Sequence, residues 1–264
     1  MIELLRKIFR QRQVNEADYE QMLQDLAAWS ETELGKYLVV SEQEVSNEHL
    51  AETAGYRAML LKVANTGFNL DSAPQLHKFT LSPTDGGDAA TLTDLDALPL
   101  PSDVVELGVL HHVLDCAEFP HEALKESARV VQASGHLIII GYNPWSLFGL
   151  WRLFGRMFSK NAIWKCRCLS VGRVADWLKL VGFQAEKITY GSFRPPFKSA
   201  RLLSKLGLFD QRLGRPHFPF GNFYVITARK IRLRPIRGKQ EWLVKAMKPV
   251  RLTSRTQANK ENDA

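Results

Sequence analysis

The chain has 264 residues, enough to bury the core of one large α/β domain or two small ones. Hydrophobic residues at 45% and charged residues at 24% exclude an intrinsically disordered chain, and no apolar run reaches the length of a membrane-spanning helix. The net charge of +7 is spread unevenly: residues 1–140 carry 10 Lys/Arg against 22 Asp/Glu, a balance of −12, whereas residues 141–264 carry 25 against 6, a balance of +19. Such asymmetry points to an anionic partner for the C-terminal half, either nucleic acid or an acidic membrane surface; the competing reading is a solvated basic tail.

In chain order, residues 1–12 alternate apolar and basic side chains. They have no uninterrupted apolar centre and no small-residue cleavage site, so they do not read as a secretory signal. Residues 16–29 predict a helix, with Met22, Leu23, Leu26 and Trp29 at three- and four-residue spacings. Residues 41–52 read as a charged linker. Apolar runs at 58–63, 76–81 and 104–110 then predict three strands, and 136–142 (HLIIIGY) predicts a buried fourth. Residues 120–132 carry a helix face of Ala123, Leu124, Ala128 and Val131, for which Gly135 is the expected stop. Strand, helix, strand at this spacing is a βαβ unit, which implies a parallel sheet covered on both faces. A helix at 173–181 and strands at 183–190 and 223–229 complete the pattern, and the polar tail beyond about 249 reads as disordered.

Three cysteines (Cys116, Cys166, Cys168) are an odd number, with two of them one residue apart and no His-rich segment nearby. This predicts neither a disulfide framework nor a metal site, and it fits a reducing cytoplasm. Residues 145–160 (WSLFGLWRLFGRMFSK) place large apolar side chains opposite Arg152, Arg156 and Lys160. They read either as a helix packed over the sheet with snorkelling arginines or as an interfacial helix giving peripheral membrane contact. The run RKIRLRPIR at 229–237 supplies phosphate-binding charge but lacks the aromatic interleaving of a base-stacking surface.

Residues 93–141 read TDLDALPLPSDVVELGVLHHVLDCAEFPHEALKESARVVQASGHLIIIG. Asp94 precedes Leu98-Pro99-Leu100, Glu106 stands near the start of a strand closed by His111-His112, and Leu124, Glu126 and Arg129-Val130-Val131 lie on the following helix. Gly135-His136-Leu137-Ile138 then opens the next strand. This order and spacing resembles class I S-adenosylmethionine (SAM)-dependent methyltransferases of the type 11 group, and the resemblance covers about residues 55–230. It implies a Rossmann-like, seven-stranded, mostly parallel sheet with helices on both faces. The implied organisation is an N-terminal helical extension (1–54), the methyltransferase-like domain (55–230) and a basic C-terminal extension (231–264).

The resemblance also implies SAM as cofactor. Asp94 and Leu95 would lie beside the adenine, and Ser82 would occupy the ribose-gripping place at the end of the second strand, where the family carries an acidic residue. His111 would face the cofactor and His112 the incoming acceptor as a catalytic group. The family's D-x-G-x-G-x-G loop falls on Leu61, Val63, Asn65 and Gly67, so only the last glycine is retained and the glycine-rich motif is degenerate. Asn143, before Pro144, resembles the acceptor-binding Asn-Pro of amino-methylating enzymes without its second Pro and Tyr; otherwise it begins a turn. Two functions remain open on sequence: methyl transfer from SAM to an unidentified acceptor, lipophilic or anionic, or a non-catalytic module contacting RNA or an anionic membrane through its basic half.

Overall fold

Helices α1 (Glu16–Ser30) and α2 (Glu33–Ala51) open the part of the chain described by the computed structural model, which comprises residues 16–84, 91–146, 149, 166–192 and 219–231. The join between them is tight: a Cβ at Gly35 would collide with the carbonyl oxygen of Trp29. Thr32 caps α2, its side chain accepting from the Gly35 N–H at 3.2 Å. The expected linker at 41–52 is therefore the second half of a helix. Its buried stripe is Leu38, Glu42, Ser46, His49 and Leu50, and three polar members at helical spacing hide the apolar period by which helices are recognised.

The strands are β1 (Arg57–Lys62), β2 (His77–Ser82), β3 (Thr91–Leu92), β4 (Val105–His111), β5 (Val131–Tyr142), β6 (Phe183–Gly191) and β7 (Phe223–Lys230). They form a single sheet in the order β3-β2-β1-β4-β5-β7-β6. The first five are mutually parallel, and β7 runs antiparallel between β5 and β6. This is the seven-stranded, mostly parallel sheet that the resemblance implies. A short helix α3 (Val113–Cys116), α4 (Pro120–Val130) and α5 (Val171–Leu180) complete the described elements.

Side chains alternate between the two faces of the sheet. Ala58, Leu60, Leu107, Val109, Ile138, Ile140 and Val225 form one apolar cluster, joined by Leu50 of α2. Met59, Leu61, Leu110, Leu137, Ile139 and Ile226 form the other, with Ala123, Leu124 and Ala128 of α4 and Val174 and Leu178 of α5. Helix α4 ends earlier than the sequence predicts. β5 begins at Val131, directly after it, and runs through Gly135. Gly135 serves the strand rather than the helix, because a Cβ there would lie 2.7 Å from the Glu106 carbonyl oxygen on β4. The segment 145–160, apart from Trp145, Ser146 and Gly149, and the basic extension beyond Ile231 lie outside the described residues.

Candidate functional site

Because β1, β2, β4 and β5 are parallel, their C-terminal ends meet at one edge, where open α/β sheets bind ligands. That edge carries Lys62, Ser82, His111 and Tyr142, with Lys62 in register with His111.

His111 is the last residue of β4, and His112 follows with a left-handed backbone, φ 56° and ψ 15°. Consecutive residues of a continuing strand would point to opposite faces. The left-handed step instead turns the chain into α3 and brings both imidazoles to one side, ring centroids 4.6 Å apart. Such a conformation is costly for a residue with a Cβ and persists only where the surroundings enforce it. Here the enforcement is visible. His112 stacks on Tyr142 at 3.9 Å and His111 on Phe68 at 4.6 Å.

Glu42 of α2 reaches across to both rings, with His111 Nε2 3.0 Å from Oε2 and His112 Nε2 3.1 Å from Oε1. An ionised carboxylate can only accept, so both Nε2 atoms donate. On the far side, His112 Nδ1 lies 3.0 Å from Asp115 Oδ2, which also accepts from the Tyr142 N–H at 2.9 Å. His111 Nδ1 lies 3.3 Å from Thr66 Oγ1. Glu42, His111, His112 and Asp115 are all buried. Burial opposes ionisation of Glu42, yet the charge of His112 and hydrogen bonds from both rings hold its carboxyl well below the ordinary value. Burial likewise opposes charge on His112, but Glu42 and Asp115 on either side raise it far enough to keep it an imidazolium. Burial pushes His111 down to about 4, leaving it neutral.

Beside this cluster, Trp29, Leu38, Val63, Thr66 and Tyr142 line a cavity of about 10 Å³, the space of one water. Val63 is buried in its wall, and Leu61 points into the core. Asn65 is exposed, and its Oδ1 accepts from the buried Lys62 Nζ at 3.4 Å. Gly67 takes φ +78° with open space where a Cβ would stand. Ser82 is buried at the end of β2, its hydroxyl 3.0 Å from that of Thr84. Asp94 is exposed while Leu95 beside it is buried.

Asn143 is committed elsewhere. Its Nδ2 donates to the carbonyls of Pro219 and Gly221 at 2.7 and 2.9 Å, and its Oδ1 accepts from the Trp145 N–H. It clasps the end of β5 to the segment leading into β7. Sequence reasoning singled out the two histidines and missed Glu42, Asp115 and Thr66. The signal for Glu42 was its position one helical turn after Leu38, a carboxylate in the buried stripe.

Residues 54–139 match the family model for a methyltransferase domain. The YafS protein of Escherichia coli K12 is 28% identical over 158 residues, a match spanning 59% of this chain and 64% of that relative, just under two thirds of its length. Among solved structures, a SAM-dependent methyltransferase from Thermotoga maritima, described as a possible histamine N-methyltransferase, superposes with a TM-score of 0.57 at 18% identity, covering 73% of this chain and 89% of that one. A SAM-dependent methyltransferase from Archaeoglobus fulgidus gives 0.50 at 15% identity, covering 72% and 93%.

The methyltransferase-domain match implies SAM as cofactor. The backbone at Gly67 is open to close approach by a ligand, whereas the buried Ser82 hydroxyl already pairs with Thr84 and Leu95 is buried beside the exposed Asp94 carboxylate. Among the described residues, the cavity beside Val63 and the Glu42–His111–His112 cluster is water-sized. Residues 54–139 thus carry a methyltransferase-domain match, set in a seven-stranded sheet with the fold of these solved SAM-dependent methyltransferases.

Proposed function

We propose that this chain transfers a methyl group from SAM to an acceptor that is lipophilic or anionic. The observation that carries this reading is the juxtaposition, at one sheet edge, of an open glycine and a strand-end hydroxyl (Gly67, Ser82) with the buried histidine pair ending β4. SAM supplies an electrophilic methyl group, so the protein's task is chiefly to bind, orient and exclude water. Gly67 lets its backbone approach the cofactor, Asp94 accepts from an adenine amine, Leu95 packs on the ring and Ser82 bonds the ribose. The charge of +19 over residues 141–264 supports an anionic acceptor or an acceptor held at an anionic surface.

Isothermal titration of the full chain with SAM and with S-adenosylhomocysteine tests the cofactor. One site per chain is expected, weakened about tenfold in Asp94→Ala by loss of a charged hydrogen-bond acceptor. Absence of heat at high micromolar ligand overturns the reading. For the acceptor side, co-flotation with anionic liposomes at low salt is expected, and failure to float removes the membrane-surface version.

A further inference from the structure

We propose that Glu42, His111 and His112 form a binding site for one divalent transition-metal ion of the zinc or iron(II) class, seated between α2 and the end of β4. The proposal stands on these three side chains and does not depend on methyl transfer.

The ligand atoms are already gathered: His111 Nε2, His112 Nε2 and a Glu42 oxygen all lie within 4.8 Å of one another. The two nitrogen–oxygen separations are 3.0 and 3.1 Å. Ligand atoms around a four-coordinate ion with bonds of about 2.0–2.1 Å stand about 3.3 Å apart. Each nitrogen is already near that distance from its own Glu42 oxygen, and drawing in the remaining ligand pairs from within 4.8 Å needs shifts on the order of an ångström. An ion replaces the two Nε2 protons that Glu42 now accepts.

What surrounds the three ligands is what metal-binding imidazoles require. Each ring offers Nε2 inward while its Nδ1 faces an oxygen, Asp115 Oδ2 for His112 and Thr66 Oγ1 for His111. The Asp115 carboxylate holds Nδ1–H on His112, which lets its Nε2 coordinate once the Nε2 proton is displaced. Asp115 is itself held by the Tyr142 N–H. The hydroxyl of Thr66 can accept from His111 Nδ1–H, so the tautomer change costs no hydrogen bond.

The backbone supports the same reading. The left-handed residue His112 aims two consecutive imidazoles at one point, which a regular strand end would not do. A buried carboxylate on a cover helix is expensive unless it is paired. An ion there ties α2 to β4 across 69 residues of chain. Two imidazoles and a carboxylate, without thiolate, suit zinc, iron(II) or cobalt(II) rather than magnesium or calcium. Three protein ligands leave a fourth position, and the adjoining cavity of about 10 Å³ holds the one water that would fill it. The cysteine spacing that sequence reading searches for plays no part; the ligands come from a helix read as a linker and from a His-His dipeptide.

Cobalt(II) is the probe. The full chain, stripped with chelator, is titrated with Co²⁺ and followed by its visible absorption. Expected are saturation at one ion per chain, bands of a low-coordinate nitrogen and oxygen site, and displacement by one equivalent of Zn²⁺. Asp115→Asn weakens uptake by about 10- to 100-fold, and Glu42→Gln and His112→Gln by at least that much. Cys166→Ser leaves it unchanged. Should the Glu42 and His112 variants fail to fold, X-ray absorption of the Zn²⁺-loaded wild-type chain decides, with two imidazoles at about 2.0–2.1 Å expected. No uptake of Co²⁺ by folded wild-type protein, an all-oxygen shell, or uptake unaffected by Glu42→Gln each overturns the proposal. SAM titration of the stripped chain is a separate measurement, so either reading can fail alone.

Discussion

Helices α2 and α4 cover opposite faces of one sheet and bury side chains of opposite character. α4 sets Ala123, Leu124, Ala128 and Val130 against the strands, and its cost and benefit are those of ordinary apolar burial. α2 buries Glu42, Ser46 and His49 among its apolar residues, and each charged or titratable one is answered across the interface: Glu42 by His111 and His112, His49 by Thr189 and Thr227. A polar seam gains little net stability over an apolar one, but it fixes registry and fails badly when one partner is removed. The same sheet thus has one cover that holds the fold and one that brings chemistry to the strand ends.

Removing a member of the polar seam is the largest break in this contrast. Glu42→Ala leaves an imidazolium facing only Asp115 and is expected to cost about 3–5 kcal/mol in urea denaturation. A loss under about 1 kcal/mol would show α2 to be as replaceable as a surface helix. On the apolar cover, Leu124→Ala opens a cavity and costs about 3 kcal/mol, with SAM affinity unchanged in the same titration.

The third test uses pH. Burial holds His49 down at about 4, below its ordinary 6.5. The unfolded chain therefore takes up the proton first, between these two values. The contribution is complete above pH 6.5 and declines as pH falls towards 4, by about 1.4 kcal/mol per unit. The difference in stability between wild type and His49→Gln should shrink across that window; a constant difference would mean His49 is not buried neutral. Smallest is the cap: Thr32→Ala should cost about 1 kcal/mol and shift no ligand affinity.

The same contrast governs what could be read from the sequence. The segment 93–141 was legible because α4 and β5 obey simple periods, apolar at helical spacing and then an unbroken β run, with His111-His112 at the strand end where the resemblance expects them. Helix α2 was not, because Glu42, Ser46 and His49 occupy positions that the helical period reserves for apolar residues. With α2 read as a linker, the partner of the histidines could not be found, since Glu42 lies 69 residues before His111 and only the fold brings them together. The roles of Gly135 and Asn143 were hidden for a related reason. Each serves a neighbour distant in sequence, the Glu106 carbonyl for one and Pro219 and Gly221 for the other.

The insertion of β7 between β5 and β6 has a consequence for synthesis. His49, near the start of the described chain, bonds Thr227 across 178 positions, and β5 acquires its outer neighbour only when Arg229 reaches His136. A chain emerging from the ribosome therefore has β1, β2, β4 and β5 available while one edge of β5 stays open. Contacts of such separation form late and slowly. Until residue 230 is released, the unfinished sheet presents Ile138, Ile139 and Ile140 to any passing strand, and the nascent protein should lean on chaperones over that interval.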